Sequence, residues 1–223
     1  MKIDILTVTL GRDLYLKKLL NSLDTSGISQ LDYRHYIIYQ GNPTDDIITN
    51  IKCKNKTELI INNQGPISIG QIMNQFKSKC GDGLFWKIDD DAEFISKNMN
   101  KHIEELYTLK PNCVFSPYPV GLINNPGGVM SKEHEVIYSQ KLDQYYTLRK
   151  VNHVGGFCRI MPSNIYKNIE FTDSHSEDGE VSLYCRYNNI PMYYLENSLI
   201  VEHQESTLGQ HKRYGNNYFK GRF

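Results

Sequence analysis

Three aspartates in a row, Asp89, Asp90 and Asp91, close the apolar run LFWKI (residues 84–88) that contains the chain's only tryptophan. In an extended segment side chains alternate, so Asp89 and Asp91 share one face and Asp90 takes the other. Two carboxylates on one face are hard oxygen ligands that suit Mg²⁺ or Mn²⁺, ions that keep waters and bridge to substrate phosphates. A solvated acidic turn is the bland alternative, and the triplet alone leaves it open. A calcium loop of the EF-hand kind is disfavoured, because its glycine and distant glutamate are missing.

A second acidic cluster lies in DSHSEDGEVSLYCR, residues 173–186. Carboxylates in a helix's first turn meet its positive end, and Ser174 with Glu177 has capping-box spacing. Committing Glu177 to that cap leaves Asp178 as the freer base, with no partner evident in the sequence and Gly179 leaving room beside it. The third feature is His203, which ends the apolar stretch LIV and its glutamate. A lone histidine is commonly structural, yet imidazole is a good metal ligand where carboxylates are near.

The elements that must position these groups follow from hydrophobic periodicity. Ile3–Leu10 reads as a strand and Leu14–Leu23 as a helix, with a turn at Gly11 between them. Tyr36–Tyr39 and Leu59–Ile61 are short strands, each before a turn signal, QGNPTDD and NNQGP. Ser68–Lys79 is a helix and Leu84–Ile88 a strand ending at the triplet. The second half is less regular: helix Asn98–Leu109, a proline-bounded piece Pro111–Pro119, and a turn at NNPGG (124–128). Val151–Ile160 reads as a strand broken at Gly155-Gly156, where a ligand or another backbone could approach closely. Glu180–Tyr187 reads as a helix, and Met192–Leu195 and Leu199–Val201 as strands. Alternation of strands and helices predicts a mostly parallel sheet flanked by helices, with ligands at the carboxyl ends of its strands.

At 223 residues the chain fits one α/β domain able to bury a core without disulfides. Lys plus Arg and Asp plus Glu are 25 each, so no whole-molecule field steers it to nucleic acid or an anionic membrane. No run reaches the roughly 18 apolar residues of a membrane span, and no secretory leader is evident. Five scattered cysteines without CxxC spacing suit reduced thiols in the cytoplasm. The abundance of Asn, Ile, Lys and Tyr fits an AT-rich genome, viral or phage genomes included.

The ordered set of motifs resembles the family 2 type of nucleotide-sugar glycosyltransferase with the GT-A fold, over nearly the whole chain. ILTVTLGRDLYLKKLLNSL looks like that family's first strand and helix, and YIIYQGNPTDD its second strand with an acidic turn. INNQGPISIGQIMNQF resembles the segment before the metal motif, and FWKIDDDAEF the DxD strand. VGGFCRIMPSNIYKNIEF and SEDGEVSLYCR are similar to the glycine-rich acceptor-side strand and the ED helix, and VEH to the late histidine. Three positions depart from the pattern. Gln40 stands where an aspartate commonly meets the nucleotide base, Met73 where an arginine often precedes Asn74, and Glu180 where an aspartate is more usual.

The resemblance implies a Rossmann-like domain over residues 1–203. It implies metal ligation by Asp89, Asp91 and His203, with Mn²⁺ or Mg²⁺ as cofactor, and contacts to the nucleotide-sugar from Thr9, Arg12, Gln40, Asn74, Asp89, Asp90, Gly155 and Gly156. The donor it implies is a nucleoside diphosphate sugar, UDP-sugars favoured. Of the catalytic pair Glu177 and Asp178, Asp178 then serves as base for an acceptor hydroxyl on a glycan or on a hydroxylated base in DNA, and a base opposite the leaving group implies inversion. The tail, residues 204–223, with His211, Lys212, Arg213, Lys220 and Arg222 among aromatics, is either a solvated terminus, a lid over the diphosphate, or a contact for a nucleic-acid backbone. Two other readings remain: a nucleotidyltransferase, for which TLGRDLY is a poor phosphate loop, and a catalytically silent nucleotide-sugar binding module.

Overall fold

The computed structural model describes residues 1–121, 130–172 and 176–205, leaving out the side chains of 130–132. NNPGG, Ser174 and the tail beyond Glu205 lie outside the described residues. The described elements form one ten-stranded sheet in the order β3-β2-β1-β4-β9-β6-β10-β8-β7, with β5 pairing β10. Strands β1 (Lys2–Thr9), β2 (Asp32–Gln40), β3 (Thr57–Asn62) and β4 (Leu84–Ile88) are mutually parallel. β6 (Val114–Val120) and β10 (Met192–His203) are parallel to each other, while β9 (Cys158–Pro162) runs antiparallel between β4 and β6. This is the expected α/β sheet, completed by antiparallel pieces.

Strands buried on both faces need apolar residues at nearly every position, which is what IDIL and LFW supply. Ile3 and Ile5 of β1 and Trp86 of β4 join one core with Leu16, Leu19, Leu20 and Leu23, the i, i+3, i+4, i+7 stripe of α1 (Asp13–Thr25). Leu6 and Phe85 point the other way, into a core shared with α3 (Ile69–Phe76), α5 (Ser163–Asn168) and α6 (Glu177–Tyr187). Ser68 caps α3, its hydroxyl accepting from Gln71 N at 3.1 Å. The acidic turn after β2 runs directly into a helix, α2 (Asp45–Lys52), capped by Thr44.

Several sequence readings change. Residues 151–160 are not one broken strand: β8 (Gln144–Val151) pairs β10 and β9 pairs β4, with Gly155-Gly156 in the connection. The two strands read at 192–195 and 199–201 are one strand, β10, with an irregular register at 195–200. The hairpin of β7 (Met130–Ser139) and β8 has a weak apolar signal, because Glu133, His134, Val136, Tyr138, Tyr145 and Lys150 face solvent. α6 begins at Glu177 with Ser176 as N-cap, three residues earlier than read. Helix α4 (Met99–Leu109) packs beside the first core, and no described helix is long and apolar enough to cross a membrane.

Candidate active site

The triple aspartate does not stay extended. Ala92 N donates to Asp89 O at 3.2 Å, so Asp90 and Asp91 occupy a tight turn between β4 and the short strand β5 (Ala92–Phe94). The turn replaces alternation with a different partition. Asp90 and Asp91 both face Arg12, from the loop after β1, whose guanidinium takes both oxygens of Asp90 and Oδ2 of Asp91. Thr9 Oγ1 donates to Asp90 at 2.6 Å. Burial raises the Asp90 carboxyl, and Arg12 and Thr9 offset part of that rise. Thr9, Arg12 and Asp90 therefore form a closed ion-pair array that anchors the first loop to the triplet.

Asp89 turns instead to Lys87. Lys87 is 2% exposed, and its Nζ also donates to Gly156 O at 2.6 Å and lies 3.5 Å from Glu177 Oε1. Burial disfavours this ammonium, but Asp89 and Glu177 outweigh that and raise its proton affinity. Burial pushes the Asp89 carboxyl upward, against Lys87 and with help from Asp91 and Glu177. Directly across the sheet register from Lys87 stands Arg159, fully buried, its Nη1 3.5 Å from Val154 O.

β5 pairs antiparallel with the end of β10, placing His203 opposite Ala92 and beside Asp91. His203 Nε2 is 3.2 Å from Asp91 Oδ2, and Nδ1 faces the carbonyl of Glu205 at 3.3 Å. The imidazole and the carboxylate thus converge on one point, where a proton or a metal ion can be shared. Asp91, His203 and Glu205 each offer a ligand atom, all within 4.8 Å of one another. Two carboxylates and an imidazole make a donor set that fits Mn²⁺ or Mg²⁺. Asp89 lies outside this set, held by Lys87 where the sequence reading made it a ligand; Glu205, inside the stretch assigned to the tail, joins it instead.

On the other side of Lys87, α6 presents its first turn. A Cβ on Gly156 would overlap Glu177 Oε1, so any other residue there would displace the Glu177 carboxylate from its place beside Lys87. Glu177 is the first helical residue, with Ser176 at the N-cap position, whereas the capping-box spacing read from the sequence puts it in the third; Ser174 lies outside the described residues. Asp178 has the partner that the sequence did not reveal: His153 Nε2 lies 3.4 Å from its Oδ2. Burial would raise the Asp178 carboxyl, but hydrogen bonds from His153 and Ser176 and the charges of His153 and Arg159 prevail, holding it below the usual carboxylate range. Glu180 accepts from Thr172 N and Oγ1 at 2.8 and 2.6 Å, a structural tie.

The remaining sequence candidates are tied to backbone. Gln40 Oε1 accepts from Ile67 N at 2.6 Å, and Asn74 binds both backbone groups of Phe171. Gly155 N donates to Tyr194 Oη at 3.0 Å. Lys87, His153, Arg159 and Glu205 were not singled out from sequence. Lysine inside the otherwise apolar LFWKI was the available signal, because a buried charge requires a partner.

A sheet of this order flanked by helices is the GT-A fold. No family model and no curated sequence matches the chain. Among solved structures it is similar to S. aureus TarS 1–349, at TM-score 0.67 and 16% identity over 92% of this chain and 60% of that one. TarS 1–349 has also been solved with UDP-GlcNAc. GalNAc-T7 with UDP, GalNAc and Mn²⁺ matches at TM-score 0.66 and 9% identity, over 93% of this chain and 44% of that one. A UDP-glucose pyrophosphorylase complexed with UDP-glucose matches at TM-score 0.57 and 12% identity, over the full length of both.

Proposed function

We propose that the chain is a metal-dependent glycosyltransferase that moves a sugar from a nucleoside diphosphate sugar, UDP-sugars favoured, to an acceptor hydroxyl with inversion. The observation that carries this reading is the Asp91–His203–Glu205 donor set, which lies at the carboxyl ends of β4 and β10. Those three residues would hold Mn²⁺ or Mg²⁺, and the bound ion would supply Lewis-acid stabilisation of the departing diphosphate. Arg12 is a side-chain cation beside Asp91 of that set and suits the diphosphate's remaining charge. Asp178 is the base: as the acceptor oxygen bonds to the anomeric carbon, its O–H bond breaks, the proton passes to the Asp178 carboxylate, and the nucleoside diphosphate leaves with the electron pair of the cleaved bond. Glu177, held by Lys87, positions the first turn of α6. The acceptor is a glycan hydroxyl or a hydroxylated base in DNA.

Release of nucleoside diphosphate from a panel of UDP-, GDP- and TDP-sugars, with Mn²⁺ or chelator, tests this. Mn²⁺-dependent UDP release that is lost in Asp91→Asn supports the reading; full activity in chelator refutes the metal part. The fold shared with a pyrophosphorylase keeps a second reading, nucleotidyl transfer, in play. Pyrophosphate formation from a nucleoside triphosphate and a sugar phosphate would favour it, whereas nucleoside diphosphate release excludes it.

A further inference from the structure

The Asp178 carboxylate belongs to a three-residue array that the proposed transfer does not by itself require. Asp178 Oδ1 accepts from Gly179 N at 2.9 Å, and Oδ2 meets His153 Nε2 at 3.4 Å. The other nitrogen of the same ring, Nδ1, lies 2.9 Å from Ser182 Oγ. Ser182 stands one turn beyond Asp178 on α6, is buried, and donates to the Asp178 carbonyl at 2.7 Å. A hydroxyl has one hydrogen, so Ser182 can only accept from Nδ1, as it also does from Val154 N at 3.4 Å. The ring is thus fixed from one side by Ser182 and turned toward the carboxylate on the other. Nε2 is thereby aimed at Asp178 Oδ2, 3.4 Å away.

We propose that His153 is the positioning residue of Asp178: buttressed by Ser182, it fixes the orientation and ionised form of the carboxylate that receives the acceptor's proton. This rests on the base role given to Asp178 above. Among the described residues, the charged and titratable groups around that carboxylate are His153 from the loop after β8, Arg159 on β9, Tyr194 on β10 and the neighbouring Glu177. His153 differs from Arg159 in making a direct side-chain contact with Oδ2.

The test is a carbon NMR titration of protein labelled at the aspartate carboxyl carbons, with the Asp178 resonance identified by its loss in Asp178→Asn. This readout needs no donor, acceptor or metal, so its failure is distinct from failure of the transferase reading. In the parent, Asp178 stays ionised below the usual aspartate range. In His153→Phe its midpoint rises by at least about one pH unit, a tenfold change in acid strength. Ser182→Ala moves it the same way by less, and covers the case in which His153→Phe does not fold. A midpoint unchanged in every folded variant, or a parent midpoint in the ordinary range, overturns the proposal.

Discussion

Lys87 and Arg159 stand directly opposite each other on the antiparallel strands β4 and β9, and both are buried. Residues opposite in such a pair project from the same face, so two cations sit side by side where Phe85 and Met161 form the neighbouring core pair. Like charges so placed repel, and the carboxylates of Asp89, Glu177 and Asp178 compensate them. The site is therefore held together by mutual neutralisation across β4, β9 and α6.

Removing one member should expose the others. Lys87→Met leaves Asp89 and Glu177 close together without their ammonium, and breaking a buried pair in this way costs about 3 kcal/mol. Urea unfolding of parent and variant measures it. A variant as stable as the parent would mean that the carboxylates are neutralised elsewhere.

The donor set makes a selective forecast for metal binding. Mn²⁺ affinity, followed by electron paramagnetic resonance without donor, should fall by at least about 100-fold in Asp91→Asn and in His203→Gln, and by less in Glu205→Gln. Asp89→Asn should change it by under about threefold, because Asp89 is turned to Lys87. Equal losses at Asp89 and Asp91 would restore the alternating-face arrangement read from the sequence.

Arg12 holds Asp91 Oδ2, the oxygen that also faces His203, and would compete with a metal ion for it. In Arg12→Gln, Mn²⁺ should bind roughly tenfold more tightly in the absence of donor, the equivalent of about 1.4 kcal/mol. Binding of UDP in the presence of Mn²⁺ should weaken in the same variant. Mn²⁺ affinity that stays put or declines would show that Arg12 supports the site rather than competing for it.

His35 gives a pH dependence unrelated to the site. It is fully buried on β2, with Nε2 2.9 Å from Thr7 Oγ1, and burial pushes its proton affinity down to about 3. The unfolded chain takes up this proton near pH 6.5, the folded chain near 3. Above about 6.5 both states are neutral and there is no penalty. Below it the unfolded state gains a proton that the native state refuses, so stability falls by about 1.4 kcal/mol per pH unit down to about 3. Between pH 7 and pH 5 the denaturant midpoint of the parent should fall relative to that of His35→Leu, which lacks the titrating group. Parallel curves would remove His35 as the cause.

What the sequence determined by itself was local in origin. Two-faced apolar runs such as IDIL and LFW specify parallel strands, and the leucine stripe of α1 specifies the helix that covers them. A triple aspartate at the end of a buried run marks the carboxyl end of β4 as a candidate site, and the run EDGE marks a second acidic cluster at the approach to a helix. Tertiary structure decided which charges meet. Asp91 and His203 are separated by more than a hundred residues and become neighbours only because β5 pairs with β10. Lys87 and Glu177, His153 and Asp178, and Arg12 and Asp90 meet through sheet register and loop closure, which no spacing along the chain encodes. A tight turn then overrode the alternation expected for Asp89–Asp91, since the Ala92-to-Asp89 hydrogen bond bends the backbone and sends Asp89 to one cation and its two neighbours to another.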